Sequence, residues 1–549
     1  MKPIPTCQKL RGGYYTPKPV ADFLARWAVR SHTTRVLEPS CGDGVFVKAA
    51  LEALLKLGAL PEAVPDLVRA VEIDPRDAEK TYKHFSALGL ASPDSIHKED
   101  FFGFCKRLFA RNELFDAVIG NPPFIRYQNF LERHRVVAFE LMKEAGLNPN
   151  RLTNSWVPFL VASTMLLNSH GRLAMVIPAE LFQVNYAAET RQFLSALYKR
   201  MTIVTFEQLV FEGIQQEVVL LLGERDSHQA GGIRTIEMKD MDSLASLNHP
   251  DFAVSELKTI DHSTEKWTQY FLEKEEIELL RGLRKHPRIS LSGEIIDVDV
   301  GVVTGQNDFF LLTRSRMQKY ALAPHTRRIV ARSGHLRGAA FSDSDWVENA
   351  ARQSPATLLK APDLPFQELP GSLKHYIQYG EKQGLHKGYK CRIRKRWYVV
   401  PSVWIPQAFM LRQVHGYPKL ILNGADATCT DTIHRVNFRN GHHGKEVVSA
   451  FLNSLTFAFA EITGRSYGGG VLTFEPSESE RLPIPLDGWG RLDFGEIDEL
   501  LRRNAIEPIL DITDRVLLRE GLGMSEQETK TIRGIWRKLS RRRMNRRHT

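Results

Sequence analysis

The sequence predicts an α/β protein. A doubly wound sheet occupies residues 1–235, a strand-rich domain residues 236–490, and a helical segment residues 491–549. Three observations carry that prediction. Short apolar runs bounded by turns alternate with helix-length segments through the first part, the βαβα order of an open parallel sheet. Gly and acidic residues fall at the ends of those runs, where such sheets hold ligands. From about residue 290 the helical pattern gives way to short strands broken by Gly, Pro and Asn. At roughly 100–200 residues per domain, 549 residues also allow more than one domain.

The elements follow in order. Thr34–Glu38 reads as a short strand entering a Gly-bearing turn, and Val45–Leu57 as an Ala- and Leu-rich helix. Leu67–Ile73 and Asp116–Ile119 are the next strands. Trp156–Leu167 is helical, Arg172–Ile177 a buried strand, Arg191–Tyr198 a helix and Val218–Leu222 another buried strand. Residues 224–265 are polar and mixed, the composition of a linker or peripheral segment. From Phe494 the helical pattern returns.

Composition excludes several classes. Hydrophobic residues make up 43% and charged residues 25%, ordinary values for a globular protein. No stretch reaches the ~18 apolar residues of a membrane span, and the N-terminus lacks the apolar core of a secretory signal. Five cysteines lie far apart without zinc spacing, so neither a disulfide framework nor a metal site is expected. A reducing cytoplasm fits.

The net charge of +10 is a modest excess, but it is concentrated. No Asp or Glu occurs from Lys382 to Ala425, where Lys390, Arg392, Arg394 and Arg396 alternate with Tyr389, Trp397 and Trp404. Cations release counterions from phosphates and flat rings stack or wedge against bases, so this stretch is a candidate for DNA contact. The alternative is a strand with a solvated basic face. A second basic run, Arg533 to Arg547, either tracks a phosphate backbone or is a frayed helix end.

The chemistry concentrates in four places. Asn121-Pro122-Pro123-Phe124 directly follows a strand. Proline fixes φ, so the backbone carbonyl beside the Asn amide cannot swing away. Two such acceptors can grip an exocyclic amine while Phe124 offers a flat surface to its ring. Upstream, Glu38-Pro-Ser-Cys41-Gly42-Asp43-Gly44 joins a strand to a helix. It lacks the phosphate-loop pattern, and its carboxylates suit a ligand with ammonium or hydroxyl groups. Glu72 ends the second strand, the usual place for a ribose-binding carboxylate. Asp100-Phe101 precedes the third.

In that order these pieces resemble the gamma-class adenine-N6 DNA methyltransferases of bacterial restriction–modification systems. Gly13-Tyr-Tyr-Thr16-Pro17 is similar to the family's leading cofactor motif. Gly301-Val-Val-Thr-Gly305-Gln-Asn-Asp-Phe-Phe310 and Arg465-Ser-Tyr-Gly468-Gly469-Gly470 resemble segments of its target recognition region. The resemblance implies a Rossmann-like S-adenosylmethionine-dependent methyltransferase domain, a target recognition domain and a helical C-terminus. It places Thr16, Glu38, Cys41, Gly42, Asp43, Glu72, Asp100, Phe101 and Phe159 around S-adenosylmethionine. It makes Asn121, Pro122, Pro123 and Phe124 the catalytic motif and Phe211 a second ring stacking on a flipped adenine. The candidates for DNA contact are Lys390, Arg392, Arg394, Arg396 and Trp397 of the acid-free stretch, and Arg465, Gly468 and Gly469, where glycine permits close approach to DNA and an ordinary loop is the equal alternative.

The implied partner is double-stranded DNA, with a separate restriction endonuclease as a plausible companion. The leading motif begins near residue 13, so no N-terminal nuclease domain is expected. Cytosine-N4 methylation uses the same geometry and stays open. A protein-glutamine or RNA methyltransferase and a non-catalytic specificity subunit are the other readings weighed.

Overall fold

The structure is a computed structural model. It describes residues 16–87, 95–207, 217–225, 230–245, 247, 255–261, 265–352, 354–467 and 470–545. Cys7, Gly13 to Tyr15, Phe211, Gly468, Gly469, Arg546 and Arg547 lie outside the described residues. The chain divides into two compact units, the first reaching Lys274 and the second running from Glu275.

The first unit opens with helix α1 (Lys18–Ala28). Its Val20, Phe23, Leu24 and Trp27 recur at the three-to-four spacing that makes one apolar stripe, and all four are buried. Strand β1 (Val36–Glu38) follows, then helix α2 (Val45–Lys56), strand β2 (Val68–Val71) and helix α3 (Pro75–Ala87). Strand β3 (Ile96–His97), helix α4 (Phe101–Ala110) and strand β4 (Phe115–Gly120) complete the next βα repeats. After helices α5 (Glu132–Glu144) and α6 (Trp156–Met165) come strand β5 (Leu167–Pro178), helix α7 (Ala188–Leu197) and strands β6 (Arg200–Phe206), β7 (Val218–Glu224) and β8 (Gly232–Met238).

These eight strands form one sheet in the order β3-β2-β1-β4-β5-β7-β6-β8. Every pairing is parallel except those of β7, which runs antiparallel between β5 and β6. Strands β6 and β7 are buried at every position, as strands covered on both faces are. Strand β8 corrects an expectation. It falls within the polar stretch assigned to a linker, yet it pairs with β6 along its whole length. As an edge strand it carries only three buried residues at its start, so its sequence, GIRTIEM, lacks an apolar run.

The order of strands matters for the site. Switching from β1 outward to β2 and β3 on one side and to β4 on the other opens a crevice at the strands' carboxyl ends. A ligand can settle there without displacing the core.

The second unit contains a five-stranded sheet in the order Ile296–Val300, Ile433–Phe438, Ala408–Leu411, Leu420–Asn423, Ala340–Phe341, together with smaller four-, three- and two-stranded sheets. Helices are commoner between 290 and 490 than the sequence pattern suggests, among them Asp343–Ala351, Gly371–Lys382, Gly444–Phe451 and Ser454–Thr463. Two of these starts are marked by caps rather than by long apolar periods. Ser342 and Asp345 form a capping box, and Asn453 accepts from the Thr456 amide.

Two readings of the basic stretches are settled by packing. Lys390 to Trp404 is not a strand: a helical turn, Tyr389–Arg392, leads into chain outside any strand up to Ala408. Pro401 and Pro406 have no N–H to give a ladder, and Cys391 and Tyr398 are drawn into a core of Phe309, Phe310 and Tyr376. The basic run near the C-terminus is a packed helix, Glu526–Met544, not a frayed end. Arg533 pairs with Asp511 at 2.6 Å and Asp514 at 2.8 Å, Arg537 with Glu507 at 2.5 Å, and Arg543 with Glu461 at 2.7 Å. Arg543, paired inside the protein, cannot also track a phosphate backbone.

Candidate active site

Four of the expected site residues stand in a row along the carboxyl ends of adjacent strands. Asp100 follows β3, Glu72 follows β2, Glu38 ends β1 and Asn121 follows β4. Sequence positions spread over more than 80 residues therefore meet at one edge of the sheet. The turn after β1 is held tightly: the Cys41 amide donates to the Val71 carbonyl at 2.9 Å and the Gly44 amide to the Cys41 carbonyl at 2.8 Å. Gly44 has φ +86°, and a Cβ there would lie 2.7 Å from His84 and 2.8 Å from Thr81, so only glycine fits.

Glu72 turns back over this loop. Its Oε2 accepts from the Gly42 amide at 2.9 Å and its Oε1 from the Asp74 amide at 2.7 Å. Burial pushes its carboxyl upward, with those two amides holding it partly down. Asp43 is also raised, by burial first. Asp100 caps α4, accepting from the Gly103 amide at 3.0 Å, and its other oxygen lies 2.8 Å from His134 Nδ1. Phe101 and Phe159 stack at 5.0 Å with their planes 13° apart, so the two rings expected near the cofactor adenine form one aromatic wall. Cys41 is buried, with its thiol 3.5 Å from Thr81 Oγ1.

Glu38 is 1% exposed, and its Oε2 has no hydrogen-bond partner among the described residues. Burial drives its carboxyl well above the ordinary glutamate value, and the charges of Glu72 and Asp43 push the same way. A buried carboxyl with a spare oxygen is incomplete until a donor arrives. The methionine ammonium and ribose hydroxyls of S-adenosylmethionine are donors of that kind, so the residues present fit this cofactor. One consequence is testable without it. A carboxyl raised on folding contributes stability that is complete below the ordinary glutamate value and lost as pH climbs through the raised one. Thermal melts from about pH 5 to 8 should therefore show the free protein losing stability with rising pH. Glu38→Gln, neutral throughout, should show a shallower fall.

Asn121 is fixed from both sides. Its Nδ2 donates to Thr16 Oγ1 at 3.1 Å, and its backbone carbonyl accepts from Ser40 Oγ at 3.3 Å. Thr16 Oγ1 thereby takes the amine end of the amide, and the carbonyl oxygen Oδ1 is buried. Phe124 is partly buried against the apolar core, and Pro122 is buried.

Several residues that position this loop escaped sequence reasoning. Gly120 is one: a Cβ there would lie 2.5 Å from Glu38 Oε1 and 3.3 Å from Pro39 Cδ, so β4 reaches β1 this closely only with glycine. Ser155 is another. It is fully buried, its hydroxyl donates to the Pro123 carbonyl and accepts from the Ile125 amide at 2.8 Å, and its own amide donates to the Ile125 carbonyl at 2.9 Å. Asn154 beside it accepts from the Tyr127 amide at 3.3 Å and donates to Tyr186 at 3.1 Å. No short motif marks these two. Their only signal is a polar pair just before an apolar helix, an ordinary helix start. Ser155→Ala leaves a part-buried carbonyl and amide of the loop without their partner, a cost of about 1–3 kcal/mol. Displacement of the loop should lower kcat by about tenfold to a hundredfold while cofactor affinity, measured by calorimetry, stays unchanged.

In the second unit the expected DNA-contact residues divide. Arg394 donates to the Val303 and Thr304 carbonyls at 2.8 Å, and Trp397 packs 5.0 Å from Phe309. Arg465 donates to the buried Glu478 at 2.9 Å, and Arg396 pairs with the exposed Asp363. Lys390 and Arg392 face solvent.

Comparison with known proteins adds an independent line. The family model of the Eco57I restriction-modification methylase matches residues 64–211, and that of the Type II methyltransferase M.Eco57I, C-terminal domain, matches residues 264–518. The chain belongs to the Eco57I family of restriction-modification methylases. It is 22% identical to Type II methyltransferase M.AccI of Acinetobacter calcoaceticus, an alignment covering 89% of this chain and 87% of that one. It is 23% identical to Type II methyltransferase M.XamI of Xanthomonas campestris pv. amaranthicola, over 86% and 85%. Among solved structures it shares the fold of the Type IIL restriction-modification enzyme MmeI in complex with DNA. The TM-score is 0.58 at 11% identity, over 96% of this chain and 75% of that one. The family's methyl donor is S-adenosylmethionine. No helix among the described residues is long and apolar enough to cross a membrane.

Proposed function

We propose that this chain is a site-specific DNA methyltransferase that transfers a methyl group to N6 of an adenine swung out of duplex DNA. The observation that carries the reading is the Asn121 amide, held by Thr16, with Ser40 on the residue's backbone carbonyl, beside the carboxylates of the cofactor turn. S-adenosylmethionine supplies a methyl group already activated on sulfonium. Glu38 and Asp43 would take its ammonium, Glu72 its ribose hydroxyls, and Asp100 with the Phe101–Phe159 wall its adenine.

Adenine N6 is a poor nucleophile while its lone pair is delocalised into the ring. Hydrogen bonds from its two protons to Asn121 Oδ1 and the Pro122 carbonyl favour the pyramidal amine whose lone pair can attack. Extruding the base costs a few kcal/mol, and stacking on Phe124 offsets about 1–3 kcal/mol; Phe211 is the proposed second ring. No general base is needed beforehand, because the amine becomes acidic once alkylated. Positioning and fixed dipoles then supply most of the rate. Duplex DNA is the proposed substrate because the relatives are Type II methyltransferases and Lys390 and Arg392 remain exposed on a basic stretch. A separate nuclease that cuts the unmethylated site is the proposed companion.

The test is methylation-sensitive sequencing of DNA from cells expressing the chain. The expected result is N6-methyladenine at one fixed position of one short motif. Modification at cytosine N4 would overturn the choice of base, and unmodified DNA from cells holding folded protein would overturn the function.

A further inference from the structure

Most of the acid-free stretch is taken up by the fold, and what remains outward is a small apolar point ringed by cations. Tyr389 and Ile393 are 65% and 59% exposed. The Ile393 amide donates to the Tyr389 carbonyl at 3.2 Å, so the two side chains lie on one face of a single helical turn. Lys390, Arg392 and Lys395 beside them are exposed as well.

The mount under this point is rigid. Cys391, within the turn, is fully buried. Arg394 ties the turn to the Val303 and Thr304 carbonyls and sits 5.6 Å from the centre of the Phe310 ring. Gly305 approaches so closely that a Cβ there would lie 2.6 Å from Lys390 Cβ. The Gly301–Phe310 motif therefore serves as the base of the turn, its Phe309 and Phe310 buried. A tyrosine and an isoleucine held out on a stiff turn gain nothing from water, and each forgoes about 25 cal/mol per Å² of apolar surface left uncovered. The absence of any acid from Lys382 to Ala425 selects a polyanion as the surface that covers them.

We infer that Tyr389 and Ile393 form an apolar wedge that presses into bound duplex DNA while Lys390 and Arg392 hold the flanking phosphates. This rests on the DNA methyltransferase reading and adds to it the element that meets the bases rather than the backbone.

An apolar contact and a phosphate contact separate by salt. Binding of full-length protein variants to a short duplex carrying the motif found by sequencing is measured by fluorescence anisotropy at several salt concentrations. Tyr389→Ala with Ile393→Ala should weaken binding about tenfold, the size of one lost stacking contact, with the salt slope unchanged. Lys390→Ala with Arg392→Ala should weaken binding and lower the slope by about two, near 0.9 for each phosphate released. Tyr389→Trp should keep wild-type affinity. All three side-chain sets are exposed, so melting temperature and cofactor affinity should match wild type.

Unchanged DNA affinity in the Tyr389/Ile393 pair would overturn the wedge and point to a protein-facing surface. A flattened slope in that pair would overturn it too, by showing that the turn only positions cations. A wild-type chain that binds no duplex would bring down the methyltransferase reading and the wedge together, which none of the variant outcomes does.

Discussion

Asn121→Ala should lower kcat by about 10³-fold or more while cofactor affinity stays within about twofold, on the scale of removing a preorganised hydrogen-bonding group from a dry site. The amide contributes an acceptor to the target amine and is anchored through its Nδ2 on Thr16 Oγ1 at 3.1 Å. Alanine removes the acceptor and leaves the carboxylates of Glu38, Asp43 and Glu72 in place. Labelled-methyl transfer and calorimetric cofactor binding on the same preparation separate the two. Near-normal turnover would remove Asn121 from the chemistry. Asn121→Asp keeps an acceptor, and the Thr16 hydroxyl can turn to donate to it, so a smaller loss is expected. A loss in cofactor affinity equal to the loss in kcat would show instead that Asn121 acts through the turn after β1.

What was legible in the sequence follows from how local each signal is. The carboxyl-end residues Glu38, Glu72 and Asn121 could be placed because each directly ends or follows a compact apolar run, and such runs announce strands. Strand β8 could not. GIRTIEM is half-buried at an edge, and its strand character comes from pairing with β6, which no window of sequence contains. Gly120 and Ser155 were invisible for a related reason. One is needed because Glu38, 82 positions earlier, lies within 2.5 Å of where its Cβ would be, and the other because it reaches back to Pro123 and Ile125. The basic stretches were legible as charge but not as geometry. Whether an arginine meets solvent or a carbonyl depends on partners such as Val303 or Glu478, which are remote in sequence from Arg394 or near Arg465 only through the fold.

Arg543 shows how far a charge run can depart from its surface appearance. Its guanidinium meets Glu461 through two bonds, Nε to Oε2 at 2.9 Å and Nη2 to Oε1 at 2.7 Å, with both side chains 3% exposed. Its remaining nitrogen donates to the His415 carbonyl at 2.9 Å and to the Gly470 carbonyl. One side chain thus joins the C-terminal helix, the helix Ser454–Thr463, the chain just after the strand Gln413–Val414 and the residue just before its partner strand Val471–Thr473. Burial pushes the Glu461 carboxyl upward even against the pull of Arg543, so the glutamate depends on its partner. Arg543→Ala should cost about 3–5 kcal/mol, most of it for stranding that carboxylate. Replacing both partners by apolar residues of similar volume, Glu461→Leu with Arg543→Met, should restore most of the loss, because no buried charge is then left alone. Urea melts of the wild type, the single variant and the pair measure both quantities. A pair no more stable than Arg543→Ala would mean that the bonds to His415 and Gly470, rather than the ion pair, hold the helix. Because Gly470 adjoins the glycine-rich segment proposed to approach DNA, Arg543→Ala should also weaken duplex binding in conditions where the protein stays folded. The apolar pair should recover stability without recovering that binding in full.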